Sequence, residues 1–151
     1  MKKDWDSYFM GVARNTALMS TCDRKVAGAI LVKNRTILSF GYTGSVRDLP
    51  HCDEVGHDMV NGHCVRTIHA EANTIALAAR DGVNVHGATL YVTTSPCWSC
   101  FKLAINAGIR RIVFDEFCRD DRVFLAAQSL GISISCLNEP EEPKEKQLRL
   151  L

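Results

Sequence analysis

The residues of this sequence best suited to chemistry fall into two short motifs. The first is His69-Ala70-Glu71, and 25 residues after it comes Pro96-Cys97-Trp98-Ser99-Cys100. Imidazole nitrogen and cysteine sulfur are good zinc ligands, and a site with three protein ligands keeps its fourth tetrahedral position open for water. Water bound to zinc ionises near neutral pH. The two motifs therefore predict a catalytic zinc site.

The spacing within each motif assigns the roles. Cys97 and Cys100 are three residues apart, so they share a helix face and both sulfurs can reach one ion at about 2.3 Å. His69 would approach from a neighbouring helix. Glu71 follows it by two residues, close enough to touch the bound water without being a ligand, and is the predicted proton shuttle. A C-x-x-C alone fits buried thiols, a redox pair or a structural zinc equally well, but the two motifs together favour a hydrolytic zinc site.

The elements that must position these motifs follow from periodicity and turn signals. Apolar residues three or four apart predict a helix over residues 5–19, and two β-rich runs, 26–32 and 36–42, predict a hairpin. Helices are predicted at 69–80, 97–107 and 122–130, with strands at 88–94, 111–115 and 132–136 between and after them. Both motifs thus stand at helix starts, where backbone N–H groups favour thiolates.

This element order predicts one α/β domain. Helices alternating with strands after an antiparallel hairpin imply a five-stranded mixed sheet covered by helices, which is a three-layer α/β/α arrangement. We expect a single catalytic domain over residues 1–137 and a charged C-terminal tail over 138–151, which carries two prolines.

Composition excludes several classes of protein. With 46% hydrophobic and 23% charged residues, the chain has the apolar content of one globular core. The formal net charge of +1 gives no reason to expect a polynucleotide partner. No apolar run approaches the roughly 20 residues that span a bilayer, and the opening residues lack a signal core. We expect a cytoplasmic protein without a membrane partner.

The segment 43–67 has no periodicity and predicts a long loop tied down by something other than a core. Seven cysteines without a secretory signal favour metal binding, catalysis or burial over disulfides. A second, structural zinc is one interpretation, and buried thiols with surface histidines are the other. The candidate ligands are Cys22, Cys52, His57 and Cys64, with His51 and His63 as alternatives.

The paired motifs resemble those of the zinc-dependent cytidine deaminase superfamily. Within it, Gly41-Tyr42-Thr43-Gly44-Ser45, His51-Cys52-Asp53 and the segment 63–71 are similar to the deoxycytidylate deaminase branch. The resemblance runs from about Trp5 to Cys136. It implies a Zn²⁺ enzyme that converts dCMP to dUMP and ammonia and so supplies dUMP for thymidylate synthesis, with dCTP as an alternative substrate. It also implies a hexamer regulated by dCTP and dTTP.

The resemblance also assigns residues beyond the zinc site. Residues implied in substrate binding are Arg24, Lys25, Thr43, Ala70, Ser95 and Phe117. Residues implied in effector binding are Gly41, Tyr42, Thr43, Gly44 and Arg80. Thr43 stands where the family has Asn, so it lacks the paired donor and acceptor of an amide. Arg24 and Lys25 could equally be solvated loop charges, Phe117 a core aromatic, and Arg80 a cation that suits the end of its helix.

The sequence is also compatible with three other functions. A transfer-RNA adenosine deaminase shares the zinc motif, although it would need a basic surface. A deaminase of free cytidine or of another base is the second. The third is a catalytically inactive zinc or nucleotide-binding protein of the same fold, which would have no use for Glu71.

Overall fold

The computed structural model describes residues 2–116 and 120–138. Its helices are α1 (Trp5–Ala17), α2 (Cys52–Val55), α3 (Ala70–Arg80), α4 (Trp98–Asn106) and α5 (Asp121–Leu130). Its strands are β1 (Gly28–Lys33), β2 (Thr36–Tyr42), β3 (Gly44–Ser45), β4 (Met59–Val60), β5 (His63–Cys64), β6 (Thr67–Ile68), β7 (Thr89–Thr94), β8 (Arg111–Glu116) and β9 (Ser133–Cys136).

Five strands of the described chain form the main sheet in the order β2-β1-β7-β8-β9. Strand β1 is antiparallel to both β2 and β7, whereas β7, β8 and β9 run parallel. The predicted five-stranded mixed sheet is therefore confirmed. The parallel strands need crossover connections, which helices α4 and α5 provide.

Helices cover both faces of the sheet, as the three-layer prediction required. On one face, Phe9 and Met10 of α1 pack against Ile30, Tyr91 and Val113. Helices α3, α4 and α5 cover the opposite face, which holds the larger core. Alternate residues of each central strand thus point into different cores, because side chains alternate across a strand.

Two glycines allow helices to approach the sheet closely. A Cβ added to Gly28 would lie 2.2 Å from the Ala13 carbonyl oxygen of α1. A Cβ added to Gly41 would lie 2.5 Å from Thr74 Oγ1 and 2.7 Å from the Ala70 carbonyl oxygen. Any larger residue at Gly41 would push back the first turn of α3, which carries Glu71.

The segment predicted as one long loop contains short elements instead. Helix α2 and the strand pairs β3–β6 and β4–β5 lie within it or at its edges. The four strands have two residues each, too few to produce a periodic sequence pattern.

The described helices include none with the length and apolar character that a membrane crossing requires.

Candidate metal centre and its surroundings

The structure brings the two sequence motifs together at neighbouring helix starts. His69 is the N-cap residue of α3, and Cys97 is the N-cap residue of α4. His69 Nδ1 lies 3.6 Å from Cys97 Sγ and 3.5 Å from Cys100 Sγ. The three ligand atoms lie within 4.8 Å of one another, which is the separation expected around one tetrahedral zinc ion.

Hydrogen bonds favour the thiolate form of Cys97. Side-chain hydrogen bonds with Cys100 and His69 lower the pKa of Cys97 to about 3, and the backbone N–H of Cys100 adds to this effect. The same Cys97–Cys100 contact, together with burial, raises the pKa of Cys100. Zinc binds the thiolate form of cysteine, so a zinc ion held here would keep both sulfurs deprotonated.

Glu71 lies in the first turn of α3 and is 1% exposed. Its Oε2 is buried and has no hydrogen-bond partner among the described residues. Burial raises the pKa of Glu71, while its own backbone N–H and the charges of Lys25 and His69 act in the opposite direction. A buried carboxylate oxygen without a hydrogen-bond partner is typical of a group that interacts with a bound reactant.

Hydrogen bonds to the backbone hold α3 in place against β2. Asn73 Nδ2 donates to the Tyr42 carbonyl at 2.9 Å, and Ser39 Oγ donates to the Thr74 carbonyl at 2.7 Å. Sequence reasoning did not single out these positioning residues. The signal available was weak, because a polar side chain inside a helix or strand is usually solvated.

The residues predicted to bind substrate have different surroundings. Lys25 is half-buried, and its charge acts on both Glu71 and Cys100. Arg24 is exposed and donates to the Gly62 carbonyl at 3.3 Å, in the turn between β4 and β5. Lys25 thus lies within electrostatic range of Glu71 and Cys100, whereas Arg24 contacts the turn between β4 and β5.

Three further residues predicted to bind substrate are buried, and a fourth lies outside the residues that the structure describes. Ala70 and Ser95 are buried, and the Ser95 N–H donates to the Glu116 carbonyl at 2.8 Å. Thr43 is fully buried, and its Oγ1 has no hydrogen-bond partner in the described parts of the chain. Phe117 lies outside the described residues.

Four of the five residues predicted to bind an effector line one cavity of about 630 Å³. They are Gly41, Tyr42, Gly44 and Arg80. The fifth, Thr43, is not part of its wall. Arg47, Asp48 and His51 also line the cavity, as does Asp81, so its wall carries guanidinium groups and carboxylates. Arg80 pairs with Asp81 at 2.8 Å.

A second cluster lies in the segment that connects the hairpin to α3. The ligand atoms of Cys22, Cys52, His57 and Cys64 lie within 4.8 Å of one another. Cys52 Sγ is 3.6 Å from Cys64 Sγ, and Cys22 Sγ is 3.6 Å from His57 Nδ1. His57 Nε2 also contacts Asp23 at 3.0 Å.

The other two histidines considered for this cluster have other surroundings. His51 caps α2, and its Nδ1 lies 2.7 Å from Thr21 Oγ1. His63 is exposed on β5. Of the three candidate histidines, His57 is the one whose ring lies among the three sulfurs.

The thiols of this second cluster also differ in acidity. Burial raises the pKa of Cys52 to about 12. Burial also opposes ionisation of Cys64, but backbone N–H groups of Arg66 and Asp58 outweigh it and lower the pKa of Cys64 to about 6.

Comparison with known proteins gives consistent matches. The model of the cytidine and deoxycytidylate deaminase zinc-binding region matches residues 3–116. The chain is 42% identical over 112 residues to ComE operon protein 2 of Bacillus subtilis, covering 74% of this chain and 59% of that protein. It is 33% identical over 151 residues to the deoxycytidylate deaminase of Saccharomyces cerevisiae, covering 95% of this chain and 48% of that protein. The chain thus spans only about half to three fifths of these two relatives.

Among solved structures, the dCMP deaminase of cyanophage S-TIM5 in complex with dCMP and dUMP is similar throughout. The TM-score is 0.79 at 27% sequence identity, and the match covers 91% of this chain and 99% of that one.

Proposed function

The chain belongs to the cytidine and deoxycytidylate deaminase family, and from that premise we propose that it is a zinc-dependent deoxycytidylate deaminase. The reaction is dCMP plus water to dUMP plus ammonia. This proposal rests on one observation: the ligand atoms of His69, Cys97 and Cys100 lie together, and Glu71 has a buried Oε2 without a hydrogen-bond partner among the described residues. Support for the substrate comes from the yeast relative and from the cyanophage enzyme crystallised with dCMP and dUMP.

The donor set suits zinc, because two sulfurs and one imidazole leave a fourth position vacant. A zinc ion bound there supplies a water molecule of lowered pKa. Glu71 accepts one proton from the attacking water and delivers it to the pyrimidine ring nitrogen. It then accepts the second proton of that water from the new hydroxyl on the ring carbon and delivers it to the amino group, which leaves as ammonia. Burial suits this work, because a raised pKa allows Glu71 to hold a proton between the two transfers.

The remaining contacts to the substrate are assigned by similarity and position. We assign the Ala70 N–H to the base carbonyl and the Ser95 carbonyl to the amino group. Thr43 would use its buried hydroxyl towards the sugar, and Lys25 would supply positive charge near the reacting groups. Arg24 and Phe117 stay candidates for the phosphate and the base.

The direct test measures ammonia release by the zinc-loaded chain from dCMP, dCTP, cytidine, deoxycytidine and transfer RNA. We expect dCMP to be deaminated with the highest kcat/KM. Glu71→Gln should keep its zinc and lose activity about 10²- to 10⁴-fold, which is the usual contribution of a general acid–base group. Preference for transfer RNA would instead indicate an adenosine deaminase, and zinc-loaded wild type inactive on all five would indicate a binding protein.

We propose that Cys22, Cys52, His57 and Cys64 hold a second, structural zinc. Three sulfurs and one imidazole complete a tetrahedron, which leaves no position for water. Metal analysis distinguishes the two interpretations of these residues, since two zinc ions per chain are expected and one would support simple thiol burial.

Regulation and assembly are further parts of the proposal. We assign the cavity of about 630 Å³ around Tyr42 and Arg80 to the effectors dCTP and dTTP, because the guanidinium groups of Arg47 and Arg80 in its wall can bind phosphate. We propose a single catalytic domain over residues 1–137 and a homo-oligomer, in agreement with the hexamers of the family. Light scattering with and without dCTP or dTTP, alongside dCMP turnover, tests both assignments.

A further inference from the structure

An aromatic ring and two cations lie beside the proposed catalytic cluster. Trp98 stands between Cys97 and Cys100 in the sequence and is half-buried. Its ring stacks on that of Phe101, with centroids 5.9 Å apart and planes 16° from parallel. Lys102 Nζ is 5.6 Å and Arg122 Cζ is 5.9 Å from the Trp98 ring centroid. The Trp98 ring thus brings a guanidinium group of α5 to the first turn of α4.

Arg122 is exposed but oriented. Its Nε donates to Asp120 Oδ1 at 3.0 Å and its Nη2 to Asp120 Oδ2 at 2.9 Å. The Arg122 side chain is 68% exposed, whereas that of Asp120 is 19% exposed. A guanidinium group is planar with five N–H donors, and this bidentate pair uses one edge. The two N–H groups of Nη1 therefore belong to a different edge.

Arg122 is near the metal cluster through Trp98, the residue that follows Cys97 and whose ring centroid lies 5.9 Å from Arg122 Cζ. The hydrogen bonds that Arg122 donates to Asp120 are the main cause that raises the pKa of Arg122, and the charge of Cys97 contributes in the same direction. Lys25 acts on the other members of the site, Glu71 and Cys100. Arg122 and Lys25 come from distant parts of the sequence, and each lies within electrostatic range of a member of this cluster.

We propose that Arg122 is the anchor for the 5′-phosphate of the nucleotide substrate, with Asp120 and Trp98 as positioning residues. The proposal rests on the proposed function, because it names a contact to the substrate of that site. A pyrimidine over the metal carries its phosphate outward, towards the mouth of the site. An oriented arginine suits that group, since guanidinium forms bidentate hydrogen bonds with phosphate. Arg24, the arginine favoured by sequence, donates instead to Gly62.

The test compares Arg122→Gln with Lys102→Gln in the zinc-loaded full chain. Both variants remove one exposed cation from the same Trp98 ring. In Arg122→Gln we expect the KM for dCMP to rise about tenfold to a hundredfold, the usual effect of losing hydrogen bonds to a charged group, with kcat nearly unchanged. Turnover of deoxycytidine, which has no phosphate, should not change. Lys102→Gln should resemble the wild type on both substrates.

Two outcomes would overturn the anchor. One is an equal loss of kcat/KM for dCMP and deoxycytidine in Arg122→Gln, which would indicate a role in structure. The other is an equal effect of Lys102→Gln, which would indicate general surface charge.

Equilibrium binding separates this proposal from the proposed function. If the wild type deaminates no dCMP, the function fails, but the anchor is still decided by calorimetry with dUMP and deoxyuridine. Arg122→Gln should weaken dUMP binding about tenfold and leave deoxyuridine binding unchanged. A wild type that binds dUMP no more tightly than Arg122→Gln would refute the anchor.

Discussion

The two cysteine–histidine clusters of this chain have similar ligands and different surroundings. The first has three ligands, each at the start of a helix that packs on the main sheet, with a buried carboxylate beside it. The second has four ligands, and they come from loops, the four-residue helix α2 and the two-residue strand β5. On the proposed assignment, the first cluster keeps a place for water and the second does not.

The difference shows what each cluster depends on. Around the first, Ala70, Phe101 and Ala104 belong to the larger core, so packing fixes the ligands whether or not metal is bound. Around the second, apolar side chains are exposed, including Val55 at 56%, Val60 at 49% and Val65 at 53%. Little apolar surface is buried there, so we expect a metal ion to supply the order that packing supplies at the first cluster.

The largest expected effect is a loss of turnover at the first cluster with little loss of stability. We predict that His69→Ala reduces dCMP turnover more than 10³-fold, because the zinc site and its activated water are lost. The melting temperature should fall by only a few degrees, since the packing of α3 and α4 remains. Steady-state kinetics and thermal unfolding check both statements. A variant that retains half of the wild-type turnover would contradict the assignment of His69.

The second prediction reverses this pattern at the loop cluster. Cys52→Ala should lower the zinc content by one ion per chain. It should also reduce the free energy of unfolding by about 2–5 kcal/mol, which is comparable to the effect of removing a native disulfide from a small domain. Amide hydrogen exchange should increase over residues 51–64 and stay unchanged in α4. The control is Cys136→Ala, a half-buried cysteine outside both clusters. If Cys52→Ala and Cys136→Ala lose equal stability and no zinc, there is no second metal.

The two clusters also differ in how far they could be predicted from the sequence. The first cluster was predictable because His69 and the two cysteines lie in short motifs, and local patterns also mark helix starts. The candidate ligands of the second cluster could be named, but three histidines were possible. The choice of His57 depends on the contact of His51 with Thr21, 30 residues away along the chain.

Contacts between distant segments were also beyond sequence reasoning. Arg122 lies 24 residues from Trp98 in the sequence, and no spacing rule connects a residue of α5 with a ring of α4. The need for glycine at position 41 arises only once α3 lies against β2. Sequence patterns predict elements well, but they do not specify which side chains meet when those elements pack.

Gly41 allows a third prediction, which concerns the framework of the first cluster alone. Gly41→Ala should reduce the free energy of unfolding by about 1–3 kcal/mol, because the added Cβ overpacks against Thr74 and the Ala70 carbonyl. It should also lower kcat by displacing Glu71, while both zinc ions stay bound. Chemical denaturation, metal analysis and kinetics test this, with Gly11→Ala in open space as the control. An unchanged kcat with lowered stability would show that the position of Glu71 tolerates movement of α3.

The smallest expected effect concerns Asp23, which contacts His57 Nε2 at 3.0 Å. If His57 binds the loop metal through Nδ1, its Nε2–H donates to this carboxylate, which fixes the ring and raises its basicity. The loss of such a hydrogen-bond partner lowers metal affinity about 10- to 100-fold. Because the Asp23 side chain is 90% exposed and solvent screens its charge, we expect a loss of affinity near the lower end of that range.

We therefore predict that Asp23→Asn weakens zinc binding at the loop cluster by about tenfold and leaves kcat for dCMP unchanged. Competition with a chromophoric chelator measures the affinity. Asp53→Asn removes the same charge from an exposed carboxylate next to Cys52, and it controls for the general effect of charge near the ion. Equal weakening in both variants would mean that Asp23 acts through its charge alone and does not orient His57. The loop metal would then depend on its four ligands without support from a surrounding hydrogen bond, unlike the first cluster, whose helix α3 is hydrogen-bonded to β2.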